Sequence, residues 1–117
     1  MLCTGKIYYD LAGSEERASA KHVAVGRVEL LYPFAANELR ALLDSYPSLR
    51  EVVWVQEEPK NMGARAFMKL RFLDEVMPEG VEYEYVGREF RASPGEGYPA
   101  AHRAEQLRIV RAALGVS

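Results

Sequence analysis

Between Gln56 and Gly63 the chain gathers an amide, two carboxylates, a lysine, a second amide and a glycine, directly after the apolar run Val52-Val53-Trp54-Val55. Carboxylates can act as general acids and bases, lysine can hold an anion, and a turn that opens a helix presents backbone N–H groups to negative charge. Adjacent strand residues point to opposite sides, so Glu57 and Glu58 cannot share one substrate as an acid and base pair, and at most one faces a given pocket. Two readings stand. In the first, one of these glutamates pairs with Lys60 or a neighbouring arginine while Asn61 caps the next helix. In the second, Gln56 and the Asn61-Met62-Gly63 backbone form one wall of an anion or nucleotide pocket. Gly5-Lys6, after another strand end on the same sheet edge, forms the other wall, and Arg27 adds a fixed charge.

Other chemistry is sparse. The phosphate-loop, Gly-x-Gly-x-x-Gly, Gly-x-Ser-x-Gly and His-Glu-x-x-His patterns are absent from the sequence. Gly95 and Gly97 follow Pro94 and read as a plain turn. His22 and His102 are brought by no spacing to Cys3 or to a serine, so a hydrolytic triad is not expected; His102 reads as a packing or capping residue, or as a contact at the rim of a site. No spacing of His, Asp or Glu forecasts a metal ion. Cys3 reads as a small buried hydrophobe in a strand, and Arg103, Arg108 and Arg111 as the solvated face of a terminal helix.

The elements that must position these residues alternate. Met1 to Thr4 is strand-like but short, and reads as an element that a larger polypeptide would complete. Ile7, Tyr8, Leu11 and Ala12 fall at helical spacing, and this helix frays through residues 13–17. Val23, Val25 and Val28-Glu29-Leu30-Leu31 predict a second strand, stopped by Tyr32-Pro33-Phe34. Ala35, Ala36, Leu39, Leu42, Leu43 and Tyr46 form an amphipathic stripe that ends before Pro47. Val52 to Val55 predicts a strand covered on both faces. A third helix opens at Asn61-Met62-Gly63 and carries Ala64, Phe67, Met68, Phe72, Leu73, Val76 and Met77, with Pro78 and Gly80 ending it. Glu82 to Val86 alternates as a more exposed fourth strand, and a last helix carries Ala100, Ala104, Leu107, Val110 and Leu114 on one side. Right-handed crossovers between parallel neighbours give a three-layer α/β/α sandwich with a mostly parallel sheet of four or five strands.

With 117 residues, 49% of them hydrophobic and 27% charged, the chain suits one ordered domain spanning 1–117. A net charge of −2 supplies no field to attract nucleic acid. The apolar runs are too short to span a membrane, the N-terminus has no signal-like segment, and one cysteine fits a reducing compartment; a cytoplasmic protein is expected, with neither nucleic acid nor membrane as partner.

The chain resembles the C-terminal domain of the thiamin-dependent dehydrogenase component of the 2-oxoglutarate dehydrogenase complex. The resemblance is carried by Leu2-Cys3-Thr4-Gly5-Lys6-Ile7-Tyr8-Tyr9-Asp10-Leu11, by Val25-Gly26-Arg27-Val28-Glu29 and Leu31-Tyr32-Pro33-Phe34, and by Trp54 through Ala64. It resumes at Tyr85-Val86-Gly87-Arg88, Ala92-Ser93-Pro94, Gly97-Tyr98, His102 and Gln106. What it implies is a transketolase C-terminal-like α/β/α domain with one antiparallel edge strand, packed beside the catalytic domains of a dimer. It further implies an enzyme that decarboxylates 2-oxoglutarate in the citric acid cycle and passes the succinyl group to a lipoyl arm of the succinyltransferase. Thiamin diphosphate and magnesium are implied for the parent enzyme and not for this domain, since the Gly-Asp-Gly segment that holds them belongs to earlier domains. The role implied for this domain is non-catalytic, in assembly and regulation. The alternative is a stand-alone α/β module binding acetyl-CoA or an adenine nucleotide. In some relatives the domain borders such an effector pocket, and by position the resemblance implies Lys6, Gln56, Asn61, Gly63, Ala64 and Arg88 as the effector-binding residues, with no catalytic and no metal-binding residue. A face normally covered by other domains also makes a homodimer an expected partner arrangement. Arg65 stands where the family usually has an aromatic that would pack against a neighbouring domain, and Ala100 where many members have lysine.

Overall fold

A computed structural model describes residues 1–116. The elements run β1 (Leu2–Cys3), α1 (Ile7–Ala12), a 3-10 turn (Glu15–Ser19), β2 (Gly26–Arg27), α2 (Ala36–Asp44), β3 (Glu51–Pro59), α3 (Arg65–Arg71), a π turn (Phe72–Val76), β4 (Glu82–Arg88) and α4 (Pro99–Leu114). The strands form one sheet in the order β2-β1-β3-β4, with Leu2 level with Gly26 and Trp54, and Trp54 level with Tyr85. All three pairings are parallel. The antiparallel edge strand that the resemblance implies is thus not found among the described residues.

Strand alternation divides the core in two. Leu2, Val52 and Trp54 share one face of the sheet and pack with Leu39 and Leu43 of α2, Met68 of α3 and Phe72. Cys3 and Val55 share the other face with Ile7 and Leu11 of α1 and Ile109, Val110 and Leu114 of α4. Two helical layers therefore enclose the sheet, as the continuous apolar run of β3 requires. Helix α4 starts at Pro99, whose missing N–H is harmless in a first turn, and ends at Gly115 in the left-handed region (φ 69°).

Four expectations change in detail. The second strand shrinks to Gly26–Arg27, because residues 28–31 leave the sheet rather than extend it. The third helix is interrupted: the N–H of Met77 bonds the carbonyl of Phe72, five residues back, so the widening at Phe72–Val76 keeps Phe72 and Val76 both buried while Leu73 turns outward. On α4 the predicted face is rotated. Ala100, Ala104 and Leu107 are exposed, and the buried stripe is Ile109, Val110, Ala113 and Leu114, because the first half of the helix turns polar Gln106 inward to the strand ends. Finally, β3 and β4 run on to Pro59 and Arg88, beyond the apolar stretches that marked them.

Candidate functional site

Those two extensions build the carboxyl edge of the sheet. Even-numbered residues of β3 share the Trp54 face and odd-numbered residues the Val55 face, so Gln56 and Glu57 point to opposite layers. Gln56 is buried (1% exposed). Its Nε2 donates to the carbonyls of Glu58 (3.2 Å), Pro59 (3.1 Å) and Met62 (2.8 Å), and its Oε1 accepts from Trp54 Nε1 (3.0 Å). The amide thereby holds the Pro59–Met62 turn against the core. Gly63 closes that turn at φ 65°, and a Cβ there would stand 3.1 Å from the Glu58 carboxylate. Ala64 is the residue before α3 and makes no side-chain cap.

On the opposite face lies a polar cluster. Lys6 Nζ meets Asp10 Oδ2 at 3.1 Å and Glu57 Oε1 at 3.3 Å. Hydrogen bonding to Asp10, then the charge of Glu57, raises the Lys6 pKa. Gln106 Nε2 donates to the same two carboxylates, at 2.8 Å to Asp10 and 2.9 Å to Glu57. Its Oε1 accepts from Arg88 Nη2 (3.2 Å). Arg88, the last residue of β4, is 1% exposed. Its Nη1 donates to the Glu57 carbonyl (2.6 Å), and Nε and Nη2 bond the Glu96 carboxylate at 3.0 to 3.3 Å. Arg91 bonds Glu96 as well, and His102 Nδ1 lies 3.6 Å from it. Arg88, ahead of Arg91, holds the Glu96 carboxyl down at about 2.

The sequence-stated residues are thus sorted by the fold. Lys6 is brought to Glu57, not to Gln56, so the two walls expected to converge lie on opposite faces of the sheet. Gln56 and Arg88 are buried with internal partners, whereas Lys6 and Asn61 reach the surface. Asn61 caps no helix: its Nδ2 donates to the Arg91 carbonyl (2.9 Å) and its Oδ1 accepts from the Arg91 N–H (3.0 Å), which ties the β3–α3 turn to the loop after β4. The glutamates do diverge as expected, but Glu57 pairs with Lys6, while Lys60 reaches Glu89 at 3.9 Å. Arg27 braces α1 instead of a pocket, donating to Tyr9 Oη (2.9 Å) with its guanidinium 4.9 Å from the Tyr8 ring centre. Arg108 does more than solvate α4, since it donates to the Gly87 carbonyl (2.8 Å). Arg65 lays its guanidinium 5.0 Å from the Tyr85 ring centre. The cluster residues that sequence reasoning did not assign to a site are Asp10, Arg91, Glu96 and Gln106. An arginine at the end of a strand sandwiched between helices needs a carboxylate partner, and the next loop offers Glu89 and Glu96, of which the fold gives Arg88 the second.

Chemically the cluster binds itself. A carboxylate held ionised by two arginines is a poor general base, because its affinity for a proton has been lowered. Cys3 is fully buried, its thiol pushed up to about 11 by that burial, so it supplies almost no thiolate. No three His, Cys, Asp or Glu side chains among the described residues gather so as to hold a metal ion. No helix of the described residues is long and apolar enough to cross a membrane.

Residues 1–114 match the family described as 2-oxoglutarate dehydrogenase C-terminal. The chain is 48% identical, over 97% of its length, to the 2-oxoglutarate dehydrogenase E1 component of an Exiguobacterium species. It is 49% identical over 95% of its length to that of Geobacillus kaustophilus, and 43% identical over 97% to that of Bacillus subtilis. In each case it spans only 12% of the relative.

Proposed function

This chain belongs to the 2-oxoglutarate dehydrogenase C-terminal family, and from that premise we propose that it is the non-catalytic assembly and regulatory domain of a 2-oxoglutarate dehydrogenase. The observation that carries this reading is the self-satisfied polar cluster. The charged groups at the carboxyl edge, where an open α/β sheet would place a reaction, are spent on Arg88–Glu96, Lys6–Glu57 and Gln106 contacts that fix turns in place. The decarboxylation of 2-oxoglutarate, the thiamin diphosphate and magnesium that serve it, and the succinyl transfer to a lipoyl group belong in this proposal to the other domains and to the succinyltransferase. The domain's partners are then those catalytic domains, and its compartment is the cytoplasm. The test pairs this chain with an E1 component truncated before the matching segment. Alone, with 2-oxoglutarate, thiamin diphosphate and magnesium, the chain releases no carbon dioxide; together the two pieces co-purify and regain activity. Carbon dioxide release by the chain alone, or failure of the pieces to associate, would overturn the reading.

A second reading, an effector site for acetyl-CoA or an adenine nucleotide, draws on one observation. Lys6, with Asp10, Ser14, His102 and Arg103, lines a shallow depression of about 370 Å³ between α1 and α4. In this reading Arg103 meets the anion together with Lys6, which exchanges its contacts with Asp10 and Glu57 for the ligand, and Gln56, Gly63 and Arg88 act only by shaping the edge. Calorimetric titration with acetyl-CoA and with AMP, beside Lys6→Ala, decides: micromolar binding lost in the variant supports it, and no heat at millimolar ligand removes it.

A further inference from the structure

Residues 92–97 form a strap between two fixed points. At one end the backbone of Arg91 is tied to Asn61 through its N–H and its carbonyl, and at the other Pro99 opens α4. Between them no side chain joins either apolar core, and the Ser93 hydroxyl bonds only within the strap, to the Gly95 carbonyl. Gly95 and Gly97 flank Glu96 in open space, with no atom within 4 Å of where a Cβ would stand. The Glu96 carboxylate is the one anchor of the strap found among the described residues.

That anchor has the form of a bound ligand. Arg88 offers Nε to Oε1 (3.1 Å) and Nη2 to Oε2 (3.0 Å), the parallel fork that recognises a planar carboxylate. Arg91 Nη1 bonds Oε1, and His102 Nδ1 stands 3.6 Å from Oε2. The fork is set without help from its occupant, because the Glu57 carbonyl and Gln106 Oε1 also hold the Arg88 guanidinium. Were Glu96 to leave, the seat would keep its shape. A carboxylate on a short flexible tether competes with free ligand at an effective concentration on the order of millimolar, so a ligand with one contact more can replace it. The place for that contact is adjacent. His102 and Gln106 also line the depression between α1 and α4, where Arg103 is exposed and has no ion-pair partner among the described residues.

We propose that Arg88, Arg91 and His102 form a carboxylate seat in which Glu96 is a tethered stand-in, and that a small dicarboxylate reaching to Arg103 displaces it and frees residues 92–97. The inference shares the depression with the effector reading but neither its nucleotide ligand nor its reliance on Lys6, and it holds whether or not the chain joins catalytic domains. Its test uses the full chain, succinate as the probe, inorganic phosphate at matched ionic strength as the comparison, and a protease that cuts after glutamate. Succinate should speed cleavage of the Glu96–Gly97 bond saturably, by at least about tenfold, while cleavage after the exposed Glu89 keeps its rate. Arg103→Ala should raise the succinate concentration needed at least about fivefold, and Lys6→Ala should change it by less than about twofold. No acceleration at about 50 mM succinate, equal acceleration by phosphate, or indifference to Arg103→Ala would overturn the proposal. Glu96→Ala vacates the seat, and succinate should then raise the melting temperature of this variant above any shift in the parent. Equal shifts in the two proteins would overturn the seat itself.

Discussion

Glu96 shows how a single side chain decides the character of the carboxyl edge. Arg88 is as buried as the core hydrophobes, and leaving its guanidinium unpaired there would cost several kcal/mol, on the order of what breaking a buried ion pair costs. Glu96, Gln106 and the Glu57 carbonyl remove that penalty together. The consequence for pH has a definite sign. In the folded state the Glu96 carboxyl sits at about 2, below its ordinary value of 4.5, so the unfolded chain binds the proton more tightly. The contribution of Glu96 is fully present above the ordinary value and is lost as pH falls through about 2. Urea denaturation from pH 6 down to pH 2.5 should therefore show stability falling below about pH 5, and Glu96→Gln should be less stable at pH 6 and show a shallower acid decline. Equal slopes in the two proteins would remove Glu96 from the acid response.

At the scale of elements, the contact between β3 and β4 is the tightest constraint near the site. A Cβ on Gly87 would stand 2.2 Å from Tyr85 Oη and 2.9 Å from the Gln56 carbonyl. The tyrosine could swing away, but it would give up its bond to the Arg88 carbonyl (3.0 Å), and the Gln56 carbonyl is backbone of β3 and cannot swing aside as a side chain can. Gly87→Ala should cost about 2–3 kcal/mol in urea denaturation. Gly97→Ala, with no atom in reach of its Cβ, should stay within about 0.5 kcal/mol of the parent. A Gly87 variant as stable as the Gly97 variant would mean that the two strands do not approach so closely. The same junction marks how far sequence reasoning reached. Val52 to Val55 and the Leu39 and Leu43 positions of α2 were legible because apolar periodicity reports burial, although Leu42 and Tyr46 of the same stripe stay exposed. The ends of β3 and β4 were not, since Gln56, Pro59 and Arg88 are buried for hydrogen bonds made across the chain, and polar burial leaves no periodic signal. The face of α4 was misjudged for the same reason: Gln106 turns inward to satisfy Arg88, Asp10 and Glu57, and alanines that completed a plausible stripe are left outside.

For the molecule as a whole, the two helical layers are held to one sheet whose strand β1, inside the order β2-β1-β3-β4, is only two residues long. Large apolar side chains also stand in solvent, among them Tyr32, Leu70, Leu73 and Phe90. Whether so short a strand opens by itself, or only when the whole molecule unfolds, can be read from Cys3. Its thiol is inaccessible, 3.6 Å from the Gly26 carbonyl, and raised to about 11 by burial. If β1 opens only with global unfolding, reaction of Cys3 with a disulfide reagent at pH 8 should run at least about a thousandfold more slowly than in the unfolded chain, at a rate that rises with urea in step with the unfolded fraction. If the strand instead frays locally, labelling will be faster and nearly independent of urea at low concentration. The first outcome places β1 in the same cooperative unit as β3 and the two cores. The second would show that the contacts of Leu2 and Cys3 alone do not hold β1 in that unit, and would dispose of the view that both layers fold as one body.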